Sequence, residues 1–289
     1  MKFGKMGVFY FTDILDAKGN SELAGRVEEM GYSTLWYPEA FGFEAFGLGG
    51  YLLSQSKTLQ VGSGIANIYA RDPASSALGL NTLNNLYDGR FVLGLGVSHA
   101  PLVSDLRGHE YKRPVSTMRK YLDAMDQTWE ALGSTPEVKQ VVLAALGPKM
   151  TQLADERTQG SFPYNITPQQ ATVTKQNSPQ GGAVICEQKV CLCEDPAQAR
   201  TAARAALEPY LPLPNYFNNW FRLGFNEDDL KDGGSDRLMD AMVLWGSAAN
   251  IKERLQQYFD NGADQVVVQP IKADGSPGVD YAALEALAP

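Results

Sequence analysis

The chain has 289 residues and a formal net charge of −8, from 25 Lys and Arg against 33 Asp and Glu. Hydrophobic residues make up 44%, enough for one large core, which excludes wholesale disorder. The acidic balance without a Lys/Arg run argues against nucleic acid. No run of about 18 apolar residues predicts a membrane span, and the start at Met1-Lys2-Phe3 shows no secretory-signal pattern.

Met6 to Phe11 is apolar and β-rich, and Ser21 to Met30 places Leu23, Val27 and Met30 on one helical face before the stop at Gly31. Thr34 to Tyr37 reads as a second strand and Ala45 to Leu53 as a helix. Leu59 to Ile65 is the third strand. Asp72 then caps a helix from Pro73 to Tyr87, with Asp88-Gly89-Arg90 as the turn that follows. Phe91 to Gly96 is the fourth strand. Met118, Leu122, Met125, Trp129 and Leu132 share one face of the fourth helix. Val141 to Ala145 is a fifth strand, Pro148 to Thr158 a helix, and Ser161 to Asn165 a sixth strand interrupted by Pro163. Thr167 to Gly182, polar and without a period, reads as an insertion loop.

The seventh strand, Ala183 to Cys193, holds all three cysteines, Cys186, Cys191 and Cys193. An odd number without a secretory signal suggests a reducing, cytoplasmic compartment. With both histidines far off in sequence, packed thiols are expected and no metal site. Asp195 opens an Ala-rich helix from Pro196 to Leu207, Pro212 to Asp236 reads as irregular, and Ser247 to Phe259 is again helical. Gln265 to Gln269 is an eighth strand before a short Ala/Leu-rich tail.

Strand-like runs that are apolar throughout, alternating with helices, predict strands covered on both faces. The length and alternation favour an α/β fold, a (β/α)8 TIM barrel, with a doubly wound open sheet as the rival. No linker divides the chain, so residues 1–289 read as a single domain.

In a barrel the site lies at the C-terminal strand ends. That nominates Glu39 and Ala40; Gly64, Ile65, Ala66 and Asn67; Val97, Ser98 and His99; Leu146, Gly147 and Pro148; and Tyr164 and Asn165. Gly64, Gly94 and Gly96 would let a flat ligand approach the backbone, and Gly147-Pro148 opens a helix whose amides suit a phosphate. The Gly94-Leu95-Gly96 pair is not a dinucleotide fingerprint, because His99 stands where the third glycine belongs. His99 is the best acid/base candidate; His109 reads as a surface or lid residue. Glu39 is either at the cofactor or in a salt bridge to Arg71 or Arg90. Trp36, Tyr37, Phe41, Phe43 and Phe46 line a substrate pocket or pack the core. Asn215, Tyr216, Asn218, Asn219 and Trp220 form a polar-aromatic patch that caps the site.

Taken together, Gly31-Tyr32-Ser33-Thr34-Leu35-Trp36-Tyr37-Pro38-Glu39-Ala40, Val61 to Asn67, Asp88 to His99, and Trp245-Gly246 through Val266 resemble the bacterial luciferase-like monooxygenase superfamily, in its F420-dependent oxidoreductase subgroup. The resemblance covers nearly the whole chain. It implies the TIM barrel with an insertion near strand seven, a homodimer, and FMN or the 5-deazaflavin coenzyme F420 at the strand ends. It implies a non-proline cis peptide at Gly64-Ile65.

By position it places Glu39 and His99 as catalytic residues. It places Glu39, Gly64, Ile65, Ala66, Asn67, Val97, Ser98, His99 and Tyr164 around the cofactor, and Ala145, Leu146 and Gly147 on its phosphate side. His99 takes the place of an acidic proton-transfer residue in a sugar-phosphate dehydrogenase of this superfamily. Ala40 replaces that enzyme's histidine, which argues against sugar-phosphate oxidation. Gln170 and Lys175 stand where the subgroup has His and Arg. Were they to touch phosphate, cofactor choice would shift, because Lys lacks the Arg fork.

The expected activity is hydride transfer between F420 and a small organic substrate. The alternatives are an FMN-dependent monooxygenase using reduced flavin and dioxygen, and a non-catalytic flavin-binding protein.

Overall fold

In the computed structural model, which describes residues 3–289, the apolar runs become parallel strands and the amphipathic runs become helices. The first half runs β1 (Met6–Phe9), α1 (Ala17–Glu29), β2 (Thr34–Tyr37), α2 (Ala45–Ser54), β3 (Gln60–Ser63), β4 (Ala66–Asn67), α3 (Pro73–Leu86), β5 (Phe91–Gly96) and α4 (Pro114–Ala131). It continues through β6 (Val141–Leu143), α5 (Pro148–Arg157), β7 (Gly160–Ser161), α6 (Pro168–Gln176) and β8 (Ala183–Cys191). Then come α7 (Pro196–Leu207), α8 (Pro214–Arg222), α9 (Asp236–Met242), β9 (Val243–Trp245), α10 (Ala248–Asp260), β10 (Gln265–Pro270) and α11 (Tyr281–Leu287). Side chains of Asp16, Asp72, Asp195 and Ser247 accept first-turn N–H groups of α1, α3, α7 and α10. Caps of this kind contribute about 1 kcal/mol each.

The sheet is a closed parallel barrel rather than an open doubly wound sheet. β1, β2, β3, β5, β6, β7 and β8 pair in sequence order, and β10 pairs with both β1 and β8. One layer of the interior takes Phe9, Trp36, Val92, Val142, Ile185 and Val267 from six different strands, and Phe162 from just after β7. At the matching place on β3 stands Gly62, where a Cβ would lie 2.5 Å from the Trp36 ring. Trp36 stacks on Phe162 at 4.7 Å between centroids. Its Nε1–H donates to Thr34 Oγ1 at 3.0 Å and Gln265 Oε1 at 3.2 Å, so the floor of the barrel is filled and satisfied. The opposite strand faces, including Val8, Leu35, Val61 and Leu93, pack beneath the helices.

The predicted third strand splits. Gly62 pairs with Val92, but Ala66 pairs with Leu95, so one extra residue is accommodated between β3 and β4. This is a β-bulge, and the Gly64-Ile65 peptide within it is cis. Ser63 Oγ–H ties it to the Gly94 carbonyl at 2.9 Å.

Three expectations need correction. Residues 167–182 are not an insertion loop: they contain α6, the helix that follows strand β7 in the regular alternation. Its weak amphipathicity hid it, because Gln170 and Thr174 lie on the buried face. The extra segment instead follows the seventh barrel strand, β8. The stretch taken as irregular, Pro212 to Asp236, holds α8, which with α7 before it and α9 after it forms a separate core around Leu207, Trp220 and Met239. Finally, β9 extends the sheet beside the end of β8, and was missed because it is only three residues long.

The glycines of β5 also differ from expectation. At Gly94 a Cβ would lie 1.9 Å from the Ser63 carbonyl oxygen, and at Gly96 2.5 Å from the Ile65 side chain. The bulge, not a ligand, requires them. Gly94→Ala is therefore expected to lower stability by more than about 2 kcal/mol in urea unfolding. Gly25→Ala, in α1 where an added Cβ meets nothing within 4 Å, should raise it by about 0.5–1 kcal/mol.

Candidate active site at the barrel mouth

Parallel strands deliver their following loops to one end, and there the nominated residues fall into three groups. The first is built on Glu39, whose side chain is only 6% exposed. Its Oε2 accepts from the Asn67 N–H at 2.8 Å and Arg71 Nη1 at 3.0 Å. Its Oε1 accepts from the Ala45 N–H at 3.2 Å and from Arg71 Nη2. Four donors, two of them from the Arg71 guanidinium, occupy this carboxylate, so it clasps β2, α2 and β4 together and is not placed to take a substrate proton. The salt-bridge reading with Arg71 holds. Arg90 instead donates to Leu53 and Leu59 carbonyls. Asn67 is 4% exposed and its Oδ1 caps the Tyr69 N–H at 2.9 Å.

The second group centres on His99, just beyond β5. Ser98 before it has φ 57°, and its carbonyl accepts from Tyr111 Oη at 3.3 Å. His99 Nδ1 lies 3.2 Å from Asn215 Oδ1. A carbonyl oxygen can only accept, so Nδ1 carries the proton and Nε2 keeps its lone pair. Nε2 has no protein partner among the described residues. Burial pushes the His99 pKa below 6.5, and the Asn215 hydrogen bond opposes this. The neutral imidazole is thus the form present at pH 7. His109 is exposed, as expected of a surface residue.

The third group is the start of α5. Gly147 is its N-cap and supplies no side-chain cap. The Arg222 guanidinium is 3.9 Å from where a Cβ would sit on Gly147. Arg222 Nη2 donates to Asn219 Oδ1 at 2.9 Å, Asn219 Nδ2 to Gln170 Oε1 at 3.0 Å, and Gln170 Nε2 to the Leu146 carbonyl at 3.4 Å. Gln170 therefore does reach the phosphate-side loop. Lys175 does not: it pairs with Asp264 at 2.7 Å, which removes it from any choice of cofactor. The fork comes from Arg222, on the segment after β8. Ala145 is buried in the core beside this loop.

Tyr164 joins none of these directly. Its Oη–H donates to Gln269 Oε1 at 2.9 Å, and its Oη lies 3.1 Å from that of Tyr210. Behind it Lys189, Glu187 and Asn165, each 1% exposed, form a charged cluster inside the barrel. Lys189 Nζ donates to Asn165 Oδ1 and, at 3.3 Å, to Glu187 Oε1. Glu187 Oε2 accepts the Asn165 N–H at 3.1 Å. The ammonium sits 3.9 Å from the Tyr164 ring centroid. Burial pushes the Glu187 carboxyl up and the Lys189 amine down, and each charge holds the other against this. Sequence reading missed the pair. The available signal was two charges, spaced by two, on a strand apolar on both faces.

Helix α8 unites the groups. Asn215 meets His99, Tyr216 packs 5.5 Å from the His99 ring, Asn219 reaches Gln170, and Trp220 Nε1–H donates to the Asn165 carbonyl at 2.9 Å. The expected cap over the site is thus present, and it is a helix. The expected aromatic cluster disperses: Trp36 and Tyr37 are core, while Phe41 is 79% exposed.

One mouth of the parallel barrel thus gathers the His99 imidazole, a helix start without a side-chain cap and the Arg222 guanidinium. The chain matches the luciferase-like monooxygenase family over residues 5–265 and belongs to it. It is 23% identical, over 87% of this chain and 90% of the relative, to a Mycobacterium tuberculosis protein whose name places it among coenzyme F420-dependent oxidoreductases. It is 24% identical, over 86% and 88%, to the 5,10-methylenetetrahydromethanopterin reductase of Archaeoglobus fulgidus. Among solved structures, an F420-dependent secondary alcohol dehydrogenase in complex with an F420-acetone adduct superposes with a TM-score of 0.78 at 15% identity, covering 99% of both chains.

Lys189→Met should cost about 3–5 kcal/mol in urea unfolding, since it leaves Glu187 charged and buried. Adding Glu187→Gln should restore most of that loss.

Proposed function

We propose that this chain is an oxidoreductase using the deazaflavin coenzyme F420 for hydride transfer to or from a small organic substrate. The observation that carries it is the pairing, along one helix, of a ring-side and a phosphate-side contact. Asn215 at one end of α8 holds His99, and Arg222 at the other stands over the start of α5. Seven residues of helix separate them, about 10 Å at 1.5 Å per residue. That span suits a flat ring joined to a phosphate by a short polyol.

The residues fit such a group. Gly147 leaves open space at a helix start without a side-chain cap, and a phosphate there meets amide dipoles and the Arg222 fork. Bound F420 supplies two-electron hydride chemistry at its ring. Asn67, Val97, Ser98 and the Gly64-Ile65-Ala66 bulge line the ring side. Glu39 keeps that wall rigid by tying it to Arg71. His99, neutral at pH 7, takes or returns the substrate proton at Nε2. Relatives named for F420 support this cofactor over FMN.

The domain, assembly and compartment belong to the same reading. The chain is a single domain in this reading, which the pairing of β1 with β10 and the Tyr32 Oη–H donated to the Leu284 carbonyl at 2.8 Å support. A homodimer would cover the exposed Leu78 and Leu86 of α3. Three free cysteines suit a reducing cytoplasm. No helix among the described residues is long and apolar enough to cross a membrane.

Titration with F420 and with FMN, followed by cofactor fluorescence, should give micromolar binding of F420 and at least tenfold weaker binding of FMN. Binding of FMN alone would overturn the cofactor assignment. In the F420-loaded enzyme, kcat/KM in the direction that needs a base should fall on acidification with a break below pH 6.5. His99→Gln should lower kcat by about 10²–10⁴-fold and abolish that break.

A further inference from the structure

The inner wall of the mouth contains a tyrosine pair that cofactor binding leaves unused. Tyr164 and Tyr210 have surroundings so dense that burial pushes both phenols well up from 10. Both nevertheless keep accessible surface, as residues lining a recess do. The recess adjoins the bulge: Phe9 packs on Tyr164 at 5.4 Å, and its ring edge lies 3.0 Å from the Cβ position of Gly64. Its outer side is Tyr216, in edge contact with Tyr210 at 5.1 Å and 5.5 Å from His99.

The hydrogen-bond count of this pair is informative. The Tyr164 hydrogen goes to Gln269 Oε1, which leaves Tyr164 Oη as an acceptor. Tyr210 Oη, 3.1 Å away, keeps a hydrogen that can go to Tyr164 or to a ligand. The pair thus offers one donor and one acceptor to the same guest oxygen. A carbonyl oxygen needs the donor, and a hydroxyl uses both. Beneath the pair, Lys189 and Glu187 cancel each other, and at the bulge Arg71 is engaged by Glu39 and Glu44. Among the described residues the cation in contact with the tyrosine pair is Lys189, which Glu187 engages, so an anion entering here would be desolvated without compensation.

We propose that the Tyr164–Tyr210 hydroxyl pair receives the reacting oxygen of an uncharged carbonyl compound or alcohol, and that the cancelled Glu187–Lys189 pair beneath it excludes anionic substrates. Tyr164 is then a substrate-binding residue rather than a cofactor ligand. This rests on reading the mouth as an oxidoreductase site.

The test is ligand binding by saturation-transfer NMR, on the protein with and without F420. The probes are acetophenone, 1-phenylethanol and cyclohexanone against benzoate and cyclohexanecarboxylate. The neutral probes should bind, and the carboxylates should bind at least about tenfold more weakly. Tyr210→Phe and Tyr164→Phe keep the rings and should each weaken the neutral probes by about three- to tenfold. F420 fluorescence quenching should be unchanged in both. Carboxylates binding as well as ketones, no neutral probe binding, or wild-type affinity in both variants would each overturn the proposal. Failure of F420 to bind the wild type would instead sink the cofactor reading, and the cofactor-free titration would still decide this one.

Discussion

The double pairing of β10, with β1 on one side and β8 on the other, is the constraint on which the rest of the molecule depends. It joins residues near the start of the chain to residues near its end and turns a row of strands into a ring. A parallel ring must send every loop that follows a strand to the same end. Glu39, Asn67, His99, Gly147 and Tyr164 come from five loops distant in sequence and are neighbours for that reason alone. The same geometry makes the other end structural. Two hollows there, of about 520 and 300 Å³, are lined by Thr135 to Lys139 and by Gly4, Glu28 and Gln60, at strand starts where barrels do not place their chemistry.

Within the ring, polarity changes in steps. The floor is a layer of aromatic and aliphatic side chains closed by Trp36 on Phe162. Above it come Glu187 and Lys189, then tyrosine hydroxyls, then the imidazole. Charge inside a barrel is tolerated only where each group is paired and hydrogen-bonded. Asn165 supplies that completion by bonding both partners and, through its carbonyl, the indole of Trp220. One asparagine thus connects the barrel interior to the segment folded over it.

The fold was legible because its signals are local and repeated: apolar runs, capping aspartates and stopping glycines. What failed was local as well. α6 turns glutamine and threonine inward, so no apolar period marks it, and α8 follows a proline-rich stretch that looks irregular. The site was half legible. Strand-end position brought His99, Asn67 and Gly147 to the same end of the barrel, since closure dictates where such residues lie. For Glu39 it left two readings, a catalytic carboxylate and an ion pair with Arg71 or Arg90, and the fold forms the pair with Arg71. The same reasoning misjudged the β5 glycines, which accommodate a neighbouring strand. Arg222 and Tyr210 were missed although their neighbours Asn215 to Trp220 were singled out, because only the fold shows which ends of α8 meet α5 and Tyr164.

The dependence of the mouth on α8 bears on how this protein could vary by descent or by design. Nine residues carry the partners of His99, Gln170, Asn165 and the α5 start. A helix shifted by one residue turns by about 100°, which would release all of these contacts together. Changes within α8 must then respect a fixed phase, and the loop before it is held by Tyr210 against Tyr164, whereas the loop after it can lengthen at small entropic cost. The segment between β8 and α10, with its separate core, is therefore a natural unit of exchange: a cassette to be swapped whole onto the same ring, but not spliced in part.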